Sequence, residues 1–193
     1  GITDKYVIDN KYQSSQMVDK LMGLDYNDRM IQGDNPEDLQ DINYGNNKLA
    51  GNLESLTHGT SMAGIITGVF FDENIKIMPL AIAAYGDEHD KDITLAIRYA
   101  VDNGAKVINM SFYKEMSMYE AWVLEAIKYA SDHDVLIVSI AGNDGLDLNK
   151  NLKYPNDRLR DGSEVSDNFI LAGASNYMLG KDFRLDYSNY GST

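Results

Sequence analysis

The chain has 193 residues, 44 % of them apolar, enough to bury one sizeable core and too many for a disordered chain. Its formal charge is −13, from 17 basic and 30 acidic side chains, and such a surface repels nucleic-acid phosphates. It has no cysteine, which excludes a disulfide framework, a cysteine nucleophile and a thiolate zinc site, and no apolar run is long enough to span a bilayer.

In chain order, residues 1–51 are rich in Asp, Asn, Gln and Tyr and read as a polar N-terminal segment or insertion. The opening Gly1-Ile2-Thr3-Asp4-Lys5 does not resemble a signal peptide, so the chain is expected to be cytosolic or a piece of a longer precursor. Met17-Val18, Leu21-Met22 and Leu24 predict one short helix, stopped near Gly23. Gly33-Asp34-Asn35-Pro36 and Tyr44-Gly45-Asn46-Asn47 predict loops. Residues 52–193 read as a partial α/β domain, with a regular alternation beginning at Thr57. Small and apolar residues on most faces of 60–69 predict a buried helix, and 76–82 (KIMPLAI) predicts a buried strand. Asp92 is a good N-cap, followed by Ile93, Ala96, Ile97, Ala100 and Val101 at helical spacing and a stop at Asn103-Gly104. Strands are predicted over 106–112 (KVINMSF), 135–140 (VLIVSI) and 169–174 (FILAGA), with a helix over 117–133.

Continuous apolar strands separated by helices point to an α/β fold: a mainly parallel sheet covered by helices on both faces. Ligands of open sheets of this kind bind beyond the carboxyl ends of the strands. The segments that matter most are therefore Ser111-Phe112-Tyr113 and Ala141-Gly142-Asn143.

Three strings now stand in order: His58-Gly59-Thr60-Ser61-Met62-Ala63-Gly64, Val107-Ile108-Asn109-Met110-Ser111, and Ala141-Gly142-Asn143-Asp144-Gly145. Together they resemble the subtilisin-like serine proteases, whose pattern runs H-G-T-x-V-A-G, V-I-N-M-S, A-G-N. The resemblance extends from about Tyr44 to Gly191 and takes in Tyr154-Pro155-Asn156, residues 169–175 and Tyr187-Ser188-Asn189-Tyr190-Gly191. It implies a three-layer fold, here incomplete, and a peptide or protein substrate. It implies that His58, which is read as opening a helix, is the general base that takes a proton from a serine and passes it to the leaving amine. It implies that Asn143 donates its amide to the developing oxyanion. In subtilisin itself such a donor is worth about 2.7–4 kcal/mol of transition-state stabilisation. Ala141 and Gly142 would line the specificity pocket, and Ser111, Phe112 and Tyr113 would pair with an extended substrate. Taken without the resemblance, His58 is better explained as a satisfied core or helix-terminal histidine, and Gly142-Asn143-Asp144-Gly145 reads as well as a plain turn. His89, in an acidic loop, and His133, near a helix C-terminus, have structural explanations.

The chain departs from the pattern at several points. Tyr113 stands where the family has glycine, which puts the cleft geometry in question. Gly59-Thr60-Ser61-Met62-Ala63 mimics the family's nucleophile string, but it adjoins His58, and the other two strings follow it rather than precede it. Ser61 is accordingly read as a packing position, with the small Gly59 and Gly64 letting the helix approach its neighbours. No nucleophile string follows Gly191, so the chain alone is expected to be inactive and, with apolar surface uncovered, to self-associate. The triad aspartate is either upstream of Gly1, which is preferred, or Asp9. Asp34, Asp38, Asp144 and Asp147 could supply oxygen to calcium, yet none fits a defined loop, and no metal or other cofactor is assigned. The family's bacterial members imply a secreted or cell-envelope location. Two other readings remain: a peptide-binding pseudoprotease, and an unrelated α/β nucleotide binder, the latter disfavoured because no glycine-rich phosphate loop follows any strand.

Overall fold

The apolar runs VINM, LIVSI and FILA form three parallel strands in a computed structural model that describes residues 35, 37–41, 53–69, 75–82, 88–180 and 183–192, the side chains of 53–56 and 69 aside. The helix expected near residues 17–24, Asp9, Asp34 and the loop at 44–47 lie outside the described residues. The chain divides into two compact units, Gly1–Ala100 and Val101–Thr193.

In the first unit, α1 spans Leu53–Val69 and begins earlier than the sequence suggested, so His58 sits inside the helix and does not open it. Burial also differs from expectation. His58, Ser61, Ile65 and Ile66 are exposed, and among the described residues a Cβ at Gly59 or Gly64 would meet nothing within 4 Å. Apolar residues all round a helix signal burial only where other elements cover every side. Residues 75–82 are irregular and not a strand; Pro79 in their middle removes a ladder donor.

The second helix, α2 (Asp90–Asp102), starts two residues before the expected cap Asp92. His89 supplies the cap: its Nδ1 accepts the backbone N–H of Lys91 at 3.2 Å, and its carbonyl accepts from Ile93 at 3.0 Å. Asp90 and Asp92 then lie in the first turn, where the helix dipole favours negative charge. Buried Lys91 donates from Nζ to the Asn35 carbonyl at 2.7 Å. Gly104 (φ 84°) provides the left-handed residue that ends the helix, its N–H donating to Val101 O at 3.0 Å.

The second unit holds β1 (Val107–Met110), α3 (Glu120–Asp132), β2 (Leu136–Ile140) and β3 (Phe169–Ala172). The sheet order is β1-β2-β3, with Val107 opposite Leu136 and Ile137 opposite Phe169. Helix α3 packs against β2 through a face that includes Val123, Ala126, Ile127 and Ala130. It ends at His133, whose ring lies over Tyr129 and whose Nδ1 is 2.8 Å from the Tyr129 carbonyl. Burial in β2 alternates: Ile137 and Ser139 are buried, their neighbours only half-buried. Val107 and Ile170 on the flanking strands are exposed, so one face of this sheet is covered more fully than the other among the described residues. The architecture is the parallel α/β arrangement expected from the sequence, with β1 shorter at both ends, β2 at its start and β3 at its end.

Candidate active site

The chain leaves β1 through Ser111, Phe112 and Tyr113, and leaves β2 through Ala141, Gly142 and Asn143. Both exits lie at the carboxyl edge of the sheet, where parallel α/β proteins build their sites. Asn109 Nδ2 donates to Ser111 Oγ at 2.9 Å and fixes the first turn out of β1. A short antiparallel bridge, Lys114 N–H to Tyr154 O at 2.8 Å and Tyr154 N–H to Lys114 O at 3.0 Å, ties that exit to the segment around the cis Tyr154-Pro155 peptide.

The two exits meet through side chains. Tyr113 is half-buried, and its hydroxyl donates to Asp144 Oδ1 at 3.1 Å. Lys153, only 6 % exposed, lies 3.0 Å from Asp144 Oδ2, pairs with the exposed Glu115, and stands 5.3 Å from the centre of the Tyr113 ring. Burial works against the Lys153 ammonium, but its bonds to Glu115 and Asp144 outweigh that and raise its pKa. The Lys153 hydrogen bond, helped by Asn189 and Tyr113, holds the Asp144 carboxyl below its usual range. The bulky ring expected to disturb the cleft is therefore engaged with the loop after β2.

That loop turns sharply. Gly142 has φ 102°, a conformation side chains rarely adopt, and a Cβ there would stand 2.5 Å from Asn189 Nδ2 and 3.5 Å from Tyr113 Cε1. Asn143 follows on the outside of the turn, exposed, its carboxamide without a hydrogen bond among the described residues. The sequence pointed to Asn143 but not to what surrounds it. Asn189 and Ser188, in the string likened to F-S-N-x-G, are both buried beneath the loop. Ser188 Oγ accepts the N–H of Ala174 at 2.9 Å just beyond β3, and Asn189 N–H donates to Gly142 O at 2.9 Å.

Below the loop, Ile140, Ala141, Leu148, Leu152, Asp157 and Leu171 help to line a cavity of about 20 Å³, room for about one water molecule. Burial, and then the charge of Glu164, push the Asp157 carboxyl up to about 6, and its Oδ2 has no partner among the described residues. Of the aspartates weighed for calcium, three are described: Asp38 accepts from Gln40 N–H, Asp147 from Asn149 N–H, and Asp144 from Tyr113 and Lys153. Among the described residues no three His, Asp or Glu converge as a metal site would require. His58 lies in the first unit, exposed on α1.

Residues 6–193 match the subtilase family of peptidases. The chain belongs to the subtilase family. Over 151 residues it is 35 % identical to a cell wall-associated protease of Bacillus subtilis (strain 168), covering 72 % of this chain and 15 % of that protein. A lanthipeptide protease of known structure superposes with a TM-score of 0.59 at 25 % identity, over 76 % of this chain and 43 % of the other. The prenylagaramide maturation protease PagA superposes at 0.50 and 25 %, over 74 % and 50 %. The subtilase chain thus spans half or less of the length of each of these relatives.

Proposed function

We propose that this subtilase segment is part of the catalytic domain of a serine endopeptidase. In the whole protein, an Asp-His-Ser set would cleave peptide bonds through an acyl-enzyme. His58 is the general base in this reading, and Asn143 offers its amide to the oxyanion. Ser111, Phe112, Tyr113, Ala141 and Gly142 face the substrate chain. The chemistry calls for no metal or other cofactor. The observation that carries the reading is the state of Asn143: an exposed carboxamide with no hydrogen bond among the described residues, on a loop whose other members are tied down. A donor meant for a transient charge has to be held in place and left unpaired in the resting state.

The 193 residues contain no nucleophile string after Gly191, so the chain alone is expected to be inactive. The exposed Ile65, Ile66, Val107 and Ile170 favour its self-association. An extracellular or envelope location follows the cell wall-associated relative. The second reading, a peptide-binding pseudoprotease, draws on Tyr113 in place of glycine.

The test uses the full-length protein with a fluorogenic peptide and a serine-directed phosphonate. Unsubstituted protein should turn over and be labelled outside residues 1–193. His58→Ala should lower kcat by at least about 10³-fold, and Asn143→Ala by about 10²–10³-fold. Peptide binding without turnover favours the pseudoprotease, and labelling at Ser61 refutes the role given to the His58 helix.

A further inference from the structure

We propose that Asn189 is a positioning residue for the oxyanion donor: its buried carboxamide clamps the loop after β2 so that Asn143 is held outward and ready. The inference rests on the reading of Asn143 given above.

A carboxamide has two acceptor lone pairs and two N–H donors, and Asn189, 2 % exposed, uses all four on this loop. Its Oδ1 accepts the N–H of Asp144 at 3.0 Å and of Leu146 at 2.8 Å. Its Nδ2 donates to Ala141 O at 2.9 Å and, more weakly, to Asp144 Oδ2 at 3.4 Å. Two backbone donors converging on one end of the amide identify that end as the oxygen, so the orientation follows from the network. The Asn189 backbone adds N–H to Gly142 O at 2.9 Å, and the neighbouring Tyr190 N–H reaches Leu146 O at 3.0 Å.

These bonds fall on both sides of Asn143 in the chain: Ala141 and Gly142 before it, Asp144 and Leu146 after it. Gly145 is held as well, its N–H donating to Tyr187 O at 2.8 Å. Asn143 is left as the exposed member whose carboxamide has no hydrogen bond among the described residues. The clamp is itself anchored, because Ser188 Oγ holds Ala174 N–H and the Arg184 guanidinium lies over the Tyr190 ring at 4.6 Å.

The chemistry of the clamp is specific to an amide. A carboxylate would accept from Asp144 and Leu146 but could not donate to Ala141 O, and it would face the Asp144 carboxylate. An apolar side chain would leave two part-buried N–H groups and a buried carbonyl unpaired. An oxyanion donor is effective because it is already in position when charge develops, and a loop free to move forfeits that advantage. Asn189 thus acts on turnover through Asn143 without touching substrate.

The test is a double-mutant cycle in the full-length protein, read as kcat and KM on a fluorogenic peptide. Asn189→Ala should lower kcat by about 10–100-fold with KM within about twofold, and should cost less than about threefold more once Asn143→Ala is present. Losses that multiply, or an unchanged kcat in Asn189→Ala while Asn143→Ala is impaired, overturn the clamp. An unimpaired Asn143→Ala instead overturns the oxyanion reading. If Asn189→Ala does not fold, Asn189→Asp decides. Its kcat relative to the unsubstituted protein should rise as pH falls, because the protonated carboxyl can again donate to Ala141 O; a ratio independent of pH overturns the inference. An arm that needs no turnover is amide exchange: the N–H groups of Asp144 and Leu146 should exchange at least about tenfold faster in Asn189→Ala. Unchanged exchange there refutes the clamp even in a protein without peptidase activity.

Discussion

Replacing Gly142 by alanine tests the loop geometry through stability alone. Two penalties add. The backbone at φ 102° disfavours a side chain by roughly 1–2 kcal/mol. The new Cβ would also lie 2.5 Å from Asn189 Nδ2, so the carboxamide must move and loosen its bonds to Ala141, Asp144 and Leu146. At about 1 kcal/mol for each of the three stronger bonds, with partial relaxation, that displacement costs about 2–3 kcal/mol. Gly104 is the matched control: its φ is 84°, but a Cβ there meets nothing within 4 Å. Gly104→Ala should therefore lose only the first contribution, and Gly142→Ala about 3–5 kcal/mol in all. The separation between the two variants is about 2–3 kcal/mol, or roughly 4–12 °C in melting temperature for a domain of this size. Urea and thermal unfolding of the two proteins side by side measure it. If Gly142→Ala melts within about 2 °C of Gly104→Ala, Asn189 is not where the structure places it, and the loop after β2 is not held by its carboxamide.

Asp157 predicts a pH dependence. Its folded pKa of about 6 lies above the ordinary 3.8, so between these values the folded chain keeps a proton the unfolded chain has lost. Stability should fall as pH rises through that window, by at most about 1.4 kcal/mol per unit, and level off above it. Asp157→Asn should abolish the slope in urea midpoints taken at several pH values; an identical slope in both proteins refutes the assignment. Lys153 predicts an asymmetry. Lys153→Met should cost under about 1 kcal/mol, because its partners Glu115 and Asp144, 71 % and 35 % exposed, can return to water. The double variant Glu115→Gln/Asp144→Asn strands a buried ammonium and should cost about 3 kcal/mol; equal losses in the unfolding midpoints would refute this.

The elements most legible in the sequence were those whose pattern is local. VINM, LIVSI and FILA are apolar runs of strand length, and α3 shows its buried face at Ala126, Ile127 and Ala130. Errors arose where a tertiary partner decides. KIMPLAI has the composition of a strand, but a strand needs a neighbour to pair with, and composition cannot supply one. The α1 residues look buried because apolar side chains occur on every face, yet Ile65 and Ile66 are exposed. Asp92 is a better cap than histidine by propensity, but His89 holds the position because its ring nitrogen reaches Lys91 N–H.

The sequence by itself determined the family, because the strings around His58, Val107 and Asn143 are each contiguous and stand in an order that is the message, and it offered His58 and Asn143 as candidate groups. Only the tertiary structure decided how Asn143 is held. Asn189 is 46 residues further along the chain, and nothing in its local sequence distinguishes a surface amide from a buried one. Its hydrogen bonds to residues 141–146 exist because β2 and the segment after β3 are brought side by side at the carboxyl edge of the sheet, a proximity that chain spacing does not encode.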